Sequence, residues 1–305
     1  MQLDVPPAWE EALSEPLRGA ILLLGAPDTG KSTLARYLYA QLAAGGRRVA
    51  CLDGDPGQTS LGPPATMTLV VGTGPDYPSS GGRWRRFVGA VSPRGHMLPV
   101  LVGAAALAEV ARNDGADALI YDTSGLVDPA QGGTALKLAK IDLLRPGTII
   151  AIQREDELEP LLEPLRRCRW LRLTELRPSP AVEPRDPSAR RARRAERFAV
   201  YFRGARPVVL RWDRLVCWPR AAAPERSGPT PDFVFRQLVA LENAGGFILG
   251  LGIVHAADIQ TREVTLLTSL ASPEGVAALR LGDLTVDARS YQDQRIADCG
   301  LRIAD

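Results

Sequence analysis

Gly25-Ala-Pro-Asp-Thr-Gly30-Lys31-Ser32 matches the spacing G-x-x-x-x-G-K-[ST]. Glycines at these places let backbone N–H groups curl around phosphate oxygens, and the helix that follows adds a favourable potential at its N-terminus. Lys31 is then expected to reach the β- and γ-phosphates, and the Ser32 hydroxyl to ligate Mg²⁺. Gly25, Asp28, Thr29, Gly30 and Thr33 complete the expected phosphate cradle. The bland alternative is a glycine-rich strand-to-helix turn. The motif and its setting between an apolar run and a helical pattern favour phosphate binding.

Asp53-Gly54-Asp55-Pro56-Gly57-Gln58 follows the next apolar run. One carboxylate here could be general base for an attacking hydroxyl, and Gln58 could position the acceptor. A polar turn capped by Asp53 is the competing reading, and a phosphate loop on the neighbouring strand outweighs it. Asp122-Thr123-Ser124-Gly125 ends another run. Asp122 could hold Mg²⁺ and Thr-x-Gly could touch the γ-phosphate. An Asx-type turn explains the same residues equally well. Residues 185–206 carry eight arginines against Asp186 and Glu196. Arg190, Arg191 and Arg194 are candidates for an arginine finger on the transferring phosphate. The alternative is a solvated basic helix or a non-catalytic phosphate contact. Arg83-Trp84-Arg85-Arg86-Phe87 could stack on single-stranded nucleic acid; a core role for Phe87 is the favoured reading.

These residues need strand ends and helix starts to hold them. Ala20–Leu24, Arg48–Leu52, 85–91, Ala118–Tyr121 and Thr148–Ile152 read as strands, nearly all apolar. Helices are expected over Ser32–Ala44, Pro99–Arg112 and 188–202, with one more before Thr148. Alternation of this kind means an α/β fold with a mostly parallel, doubly wound sheet covered on both faces. Four prolines between 177 and 190 mark a linker. Beyond 213, short apolar runs between turn signals suggest a small, mostly β module. The expected organisation is a lead-in over 1–19, a P-loop domain over 20–212 and a β domain over 213–305.

Composition narrows the class. The 305 residues are 45% hydrophobic and 24% charged, with a net charge of +2, which excludes disordered and collagen-like chains. No run suits a membrane span and no secretory signal opens the chain, so a cytoplasmic protein is expected. Cys51, Cys168, Cys217 and Cys299 lie too far apart for a zinc motif, and most of them read as small buried hydrophobes. Three lysines stand against 34 arginines, which makes Lys31 conspicuous.

Taken together, the motifs resemble the polynucleotide 5′-hydroxyl kinase family, which includes the kinase subunit of the mRNA 3′-end cleavage factor and the ribosomal-RNA processing kinases. The resemblance runs through Gly25–Ser32, Asp53–Gln58, Phe87-Val-Gly-Ala-Val-Ser-Pro, Asp122-Thr-Ser-Gly-Leu and Arg190-Arg-Ala-Arg-Arg, in order, over residues 20–215. It implies a P-loop kinase that uses ATP and Mg²⁺ to phosphorylate the 5′-hydroxyl end of RNA or DNA. By the same resemblance Asp55 matches the base-type aspartate and Asp53 its partner. Thr123 and Gly125 match an acceptor-holding T-x-G-W clasp, with Leu126 where the family has tryptophan. A regulatory or maturation NTPase and an ATP-binding scaffold without turnover are the competing classes. Lys31 is expected at the surface, packing little, so Lys31→Ala should abolish phosphoryl transfer and leave the fold intact. A radiolabelled-phosphate assay beside a thermal melt checks both halves.

Overall fold

The structure is a computed structural model that describes residues 6–12, 17, 19–76, 83–218 and 233–298. Cys299 and parts of the 1–19 lead-in lie outside the described residues. The chain forms two compact units: 1–62, 67–85 and 92–185 in the first, and 63–66, 86–91 and 186–305 in the second. Among the described residues no helix is long and apolar enough to cross a membrane.

The first unit alternates helices and strands. Its elements are α1 (Pro7–Ala12), β1 (Gly19–Gly25), α2 (Lys31–Ala44), β2 (Val49–Gly54), β3 (Thr66–Gly72), β4 (Arg83–Phe87), α3 (Met97–Asn113), β5 (Ala118–Thr123), α4 (Gly133–Leu144), β6 (Thr148–Ile152), α5 (Glu159–Leu165) and β7 (Arg172–Leu176), with Thr66, Arg86 and Phe87 at strand ends counted in the second unit. Seven strands form one sheet in the order β4-β3-β2-β5-β1-β6-β7. The neighbours β2–β5, β5–β1, β1–β6 and β6–β7 are all parallel. Strands β2, β5 and β6 are buried at every residue, as a sheet covered on both faces requires. Leu34, Leu38 and Leu42 of α2 recur at four-residue spacing and pack with Leu23, Val49, Ile120 and Ile150 of the sheet.

Three strands differ from the sequence expectation. Strand β3 runs antiparallel to β2 and was not foreseen, because its apolar run follows Gly62-Pro63-Pro64 and reads as loop. Edge strand β7 is Arg-Leu-Thr-Glu-Leu, too polar to register as a buried run. Strand β4 covers Arg83–Phe87 rather than 85–91, since the chain turns away where Gly89 takes φ +79°. Cys51 is buried, whereas Cys168 and Cys217 are only partly so.

The second unit contains α6 (Pro187–Tyr201), β8 (Arg206–Arg211), β9 (Val216–Trp218), β10 (Gln237–Glu242), β11 (Ile248–Asp258), β12 (Glu263–Thr268), β13 (Ala278–Val286) and β14 (Asp293–Arg295). The sheet order is β14-β13-β10-β11-β12-β8, all antiparallel, with β9 added parallel to β13. Alternate residues of β10 feed different cores. Leu238 and Ala240 join Phe87, Phe198 and Phe202, while Val239 and Leu241 join Trp212, Phe233 and Leu279. Phe87 is thus core, as the favoured sequence reading holds. Helix α6 starts on an Asp186 cap that accepts from Ala189 N at 2.7 Å, with Pro187 in its first turn.

Gly54 ends β2 flat against Tyr121, and a Cβ there would collide with the ring. Gly54→Ala is expected to cost about 1–3 kcal/mol. The check is a lower denaturant midpoint at an unchanged m-value.

Candidate nucleotide and phosphoryl-transfer site

The C-terminal end of β1 runs into the glycine loop, and α2 begins at Lys31. Position 25 has no room for a side chain: a Cβ would lie 2.6 Å from Thr29 Oγ1 and 2.7 Å from the Ile152 carbonyl. Gly30 takes φ +92° and Asp28 takes φ +53°, so the loop turns in the left-handed region twice. Thr29 Oγ1 donates to Ala26 O at 3.0 Å and braces the loop from within.

Lys31 is buried, not the surface residue the sequence suggested. Its Nζ folds back onto Ala26 O at 2.6 Å and Thr29 Oγ1 at 3.3 Å. Burial lowers its pKa, against the pull of Asp122, Asp55 and Asp28. A triphosphate seated in the loop would offer better acceptors than one carbonyl and one hydroxyl.

Ser32 Oγ donates to Asp122 Oδ2 at 2.5 Å, joining the helix start to the end of the neighbouring strand β5. Burial and then the Asp53 charge push Asp122 up to about 7, with Lys31 and the Ser32 hydrogen bond opposing. Mg²⁺ takes hard oxygen donors, often one or two from protein and the rest from water and phosphate. Ser32 Oγ and Asp122 supply such a pair, so the residues fit that ion.

The two aspartates of β2 are used differently. Asp53 is buried and directly opposite Asp122 in the parallel register. Its Oδ2 accepts from Ser60 N at 2.6 Å, Thr59 Oγ1 at 2.8 Å and Leu61 N at 2.9 Å. Burial raises its pKa and these bonds pull it back. Asp53 therefore ties down the 59–61 turn. Asp55 Oδ1 accepts from Gly57 N at 2.8 Å and Gln58 N at 2.9 Å. Its Oδ2 takes no hydrogen bond among the described residues. Gln58 bends its amide onto Gly57 O at 3.1 Å.

Thr123, Ser124 and Gly125 leave β5 as a buried turn. Gly125 rests on the phosphate loop: a Cβ would stand 2.6 Å from Pro27 N. The structure also brings in residues to which the sequence reading gave no part in holding the loop or the turn. Lys137 and Lys140 of α4 are fully buried behind this turn. Burial lowers both pKa values, that of Lys140 to about 7. Arg154 donates to the loop carbonyls of Pro27, at 3.2 Å, and Asp28. Arg185 N donates to Asp28 Oδ2 at 3.1 Å. The available sequence signal was the lysine scarcity itself, since all three lysines are buried in this unit.

Of the arginines expected to meet phosphate, Arg194 is held by Asp293 through bonds of 2.8 and 3.0 Å, with both side chains nearly buried. Arg191 is exposed and has no partner among the described residues. Arg190 lies one residue earlier on α6, partly buried.

A glycine loop at the end of a central parallel strand, with Ser32 against an aspartate on the next strand, defines a P-loop nucleotide-binding α/β protein. The family model for the mRNA cleavage and polyadenylation factor CLP1 P-loop matches residues 25–204, and the chain belongs to that family. It is 26% identical over 327 residues to the polyribonucleotide 5′-hydroxyl-kinase of Pyrococcus abyssi, covering 90% of this chain and 89% of that one. It is 33% identical over 220 residues to the one from Methanocaldococcus jannaschii, covering 67% of this chain and 56% of the relative. Its fold is similar to Clp1p in a Clp1p–Pcf11p complex, at a TM-score of 0.67 and 14% identity, covering 90% of this chain and 76% of that one.

Truncating Arg194 would leave the Asp293 carboxylate buried and unpaired. Arg194→Ala is expected to destabilise the second unit by about 3–5 kcal/mol, measured by chemical denaturation.

Proposed function

We propose that this chain is an ATP- and Mg²⁺-dependent kinase that phosphorylates the 5′-hydroxyl end of a polyribonucleotide. Family membership and the shared name of its archaeal relatives support the activity. The observation that carries the mechanism is the division of labour among three carboxylates. Asp122 faces Ser32, Asp53 is spent on a turn, and Asp55 keeps one oxygen open.

In this reading Asp55 Oδ2 accepts the proton of the 5′-hydroxyl as its oxygen attacks the γ-phosphorus, and ADP leaves. Lys31 leaves Ala26 O for the β- and γ-oxygens. Ser32 and Asp122 hold Mg²⁺, whose chemistry is to neutralise charge shared by those oxygens. The turn of Thr123 and Gly125, with Gln58, orients the acceptor. Arg190 or Arg191 stabilises the equatorial oxygens of the transferring group, because a guanidinium fork can meet two of them. Arg194 serves α6 by holding Asp293.

The test is transfer of labelled γ-phosphate to 5′-hydroxyl RNA, to 5′-hydroxyl DNA and to water alone. Labelled RNA ends are expected; free phosphate without labelled ends would instead support a hydrolase. Asp55→Asn should cut transfer by about 10²–10⁴-fold with a smaller effect on ATP affinity. A parallel fall in both would place Asp55 on the metal.

A further inference from the structure

The chain uses arginine for nearly every basic position, yet keeps lysine at 137, a fully buried site. What surrounds that nitrogen explains the choice. Lys137 Nζ donates to Thr123 Oγ1 at 2.6 Å and to the Ser124 carbonyl. Thr123 Oγ1 spends its own proton on Leu23 O, at 2.6 Å on β1, so toward Lys137 it can only accept. Two acceptors thus converge on one nitrogen. A compact amine satisfies both and needs little else. An arginine carries five N–H donors, and those left over would be buried without partners at about 1–3 kcal/mol each.

These bonds fix a specific piece of chain. The Thr123-Ser124-Gly125 turn lies between β5 and the phosphate loop, with Gly125 against Pro27. Thr123 is tied on one side to β1 and on the other to α4. The phosphate loop has separate braces: Thr29 to Ala26, Arg154 to Pro27 and Asp28, and the close fit of Gly25 under Ile152. Loss of the Lys137 bonds would therefore loosen the turn and leave the nucleotide cradle standing.

We infer that Lys137 is a positioning residue for the acceptor, clamping the Thr123–Gly125 turn in the shape that receives the 5′-hydroxyl strand. The inference rests on the kinase reading above. Because the neutral amine carries two N–H donors and the charged one three, the clamp holds in either protonation state.

Lys137→Met keeps the length of the side chain and removes the donors. With wild type, Lys137→Met and Lys137→Gln, the measurements are ATP affinity by direct titration, then kcat and KM for a 5′-hydroxyl oligoribonucleotide at saturating ATP. Lys137→Met is expected to lower kcat/KM for the oligonucleotide by about 10–100-fold. ATP affinity should stay within about twofold. Lys137→Gln, with a donor retained, should recover part of the loss. A Lys137→Met enzyme with unchanged acceptor kinetics overturns the inference, as does an equal loss of ATP affinity. Failure of both variants to fold assigns Lys137 to the core and also overturns it. Wild type that binds ATP but labels no oligonucleotide refutes the kinase reading itself, and this inference with it.

Discussion

Two buried carboxylates at the ends of adjacent strands, with half-buried Asp55 beside them, must share a space with three buried lysines. Asp53 and Asp122 face each other across β2 and β5, and burial raises the pKa of both. Such a cluster is tolerable only if each acid has a dedicated partner. The turn at 59–61 closes over Asp53, the start of α2 comes to Asp122, and Lys31 pulls the Asp122 carboxyl back down. The connections around the site follow from that requirement. Thr59, Ser60 and Leu61 all turn donors toward Asp53, and Ser32 is presented by the first turn of α2.

Rigidity and chemistry are divided among residues of the same type. Gly25 and Gly125 permit close backbone approach, whereas Gly30 permits a left-handed turn. Among the arginines, Arg154 and Arg185 secure the phosphate loop, and Arg194 secures α6 to Asp293. Arg191, one of the candidates for phosphate contact, is exposed. Leu126, at the place where the family resemblance leads one to expect tryptophan, is half-buried at the end of the Thr123–Gly125 turn.

The second unit shows how one helix meets two demands. Phe198 and Phe202 pack into the core beside Ile253 and Leu284, and Phe202 stacks on Tyr291 at 6.2 Å. That apolar stripe leaves the remaining faces of α6 to arginine. A basic helix is expected to attract phosphate wherever it is exposed. Its anchoring depends on apolar packing and on one nearly buried ion pair, both legible only in three dimensions.

Much was written in local sequence. The glycine spacing at 25–32, the apolar runs before Asp53 and Asp122, and Pro99 in the first turn of α3 act within a few residues of themselves. For that reason they announced the parallel sheet, the phosphate loop and the helix starts. Strand β3 escaped notice because Thr66 and Thr68 interrupt its apolar run just after Gly62-Pro63-Pro64, and β7 because an edge strand held by pairing with β6 tolerates a polar sequence. Folding likewise decided the roles of Asp53, Lys31 and Arg194, the first two through nearby turns and the last across the chain. Asp53 was readable both as the partner of Asp55 and as the cap of a polar turn until the backbone of 60 and 61 turned toward it. Lys31 looked exposed until its loop curled over it. Arg194 was a candidate arginine finger until Asp293, ninety-nine positions later, lay beside it. Sequence determined which chemistry could occur, since residue type and short spacing set donors, acceptors and backbone freedom. Tertiary structure decided which copy of each residue performs it, because burial and hydrogen bonding are fixed only when remote segments meet.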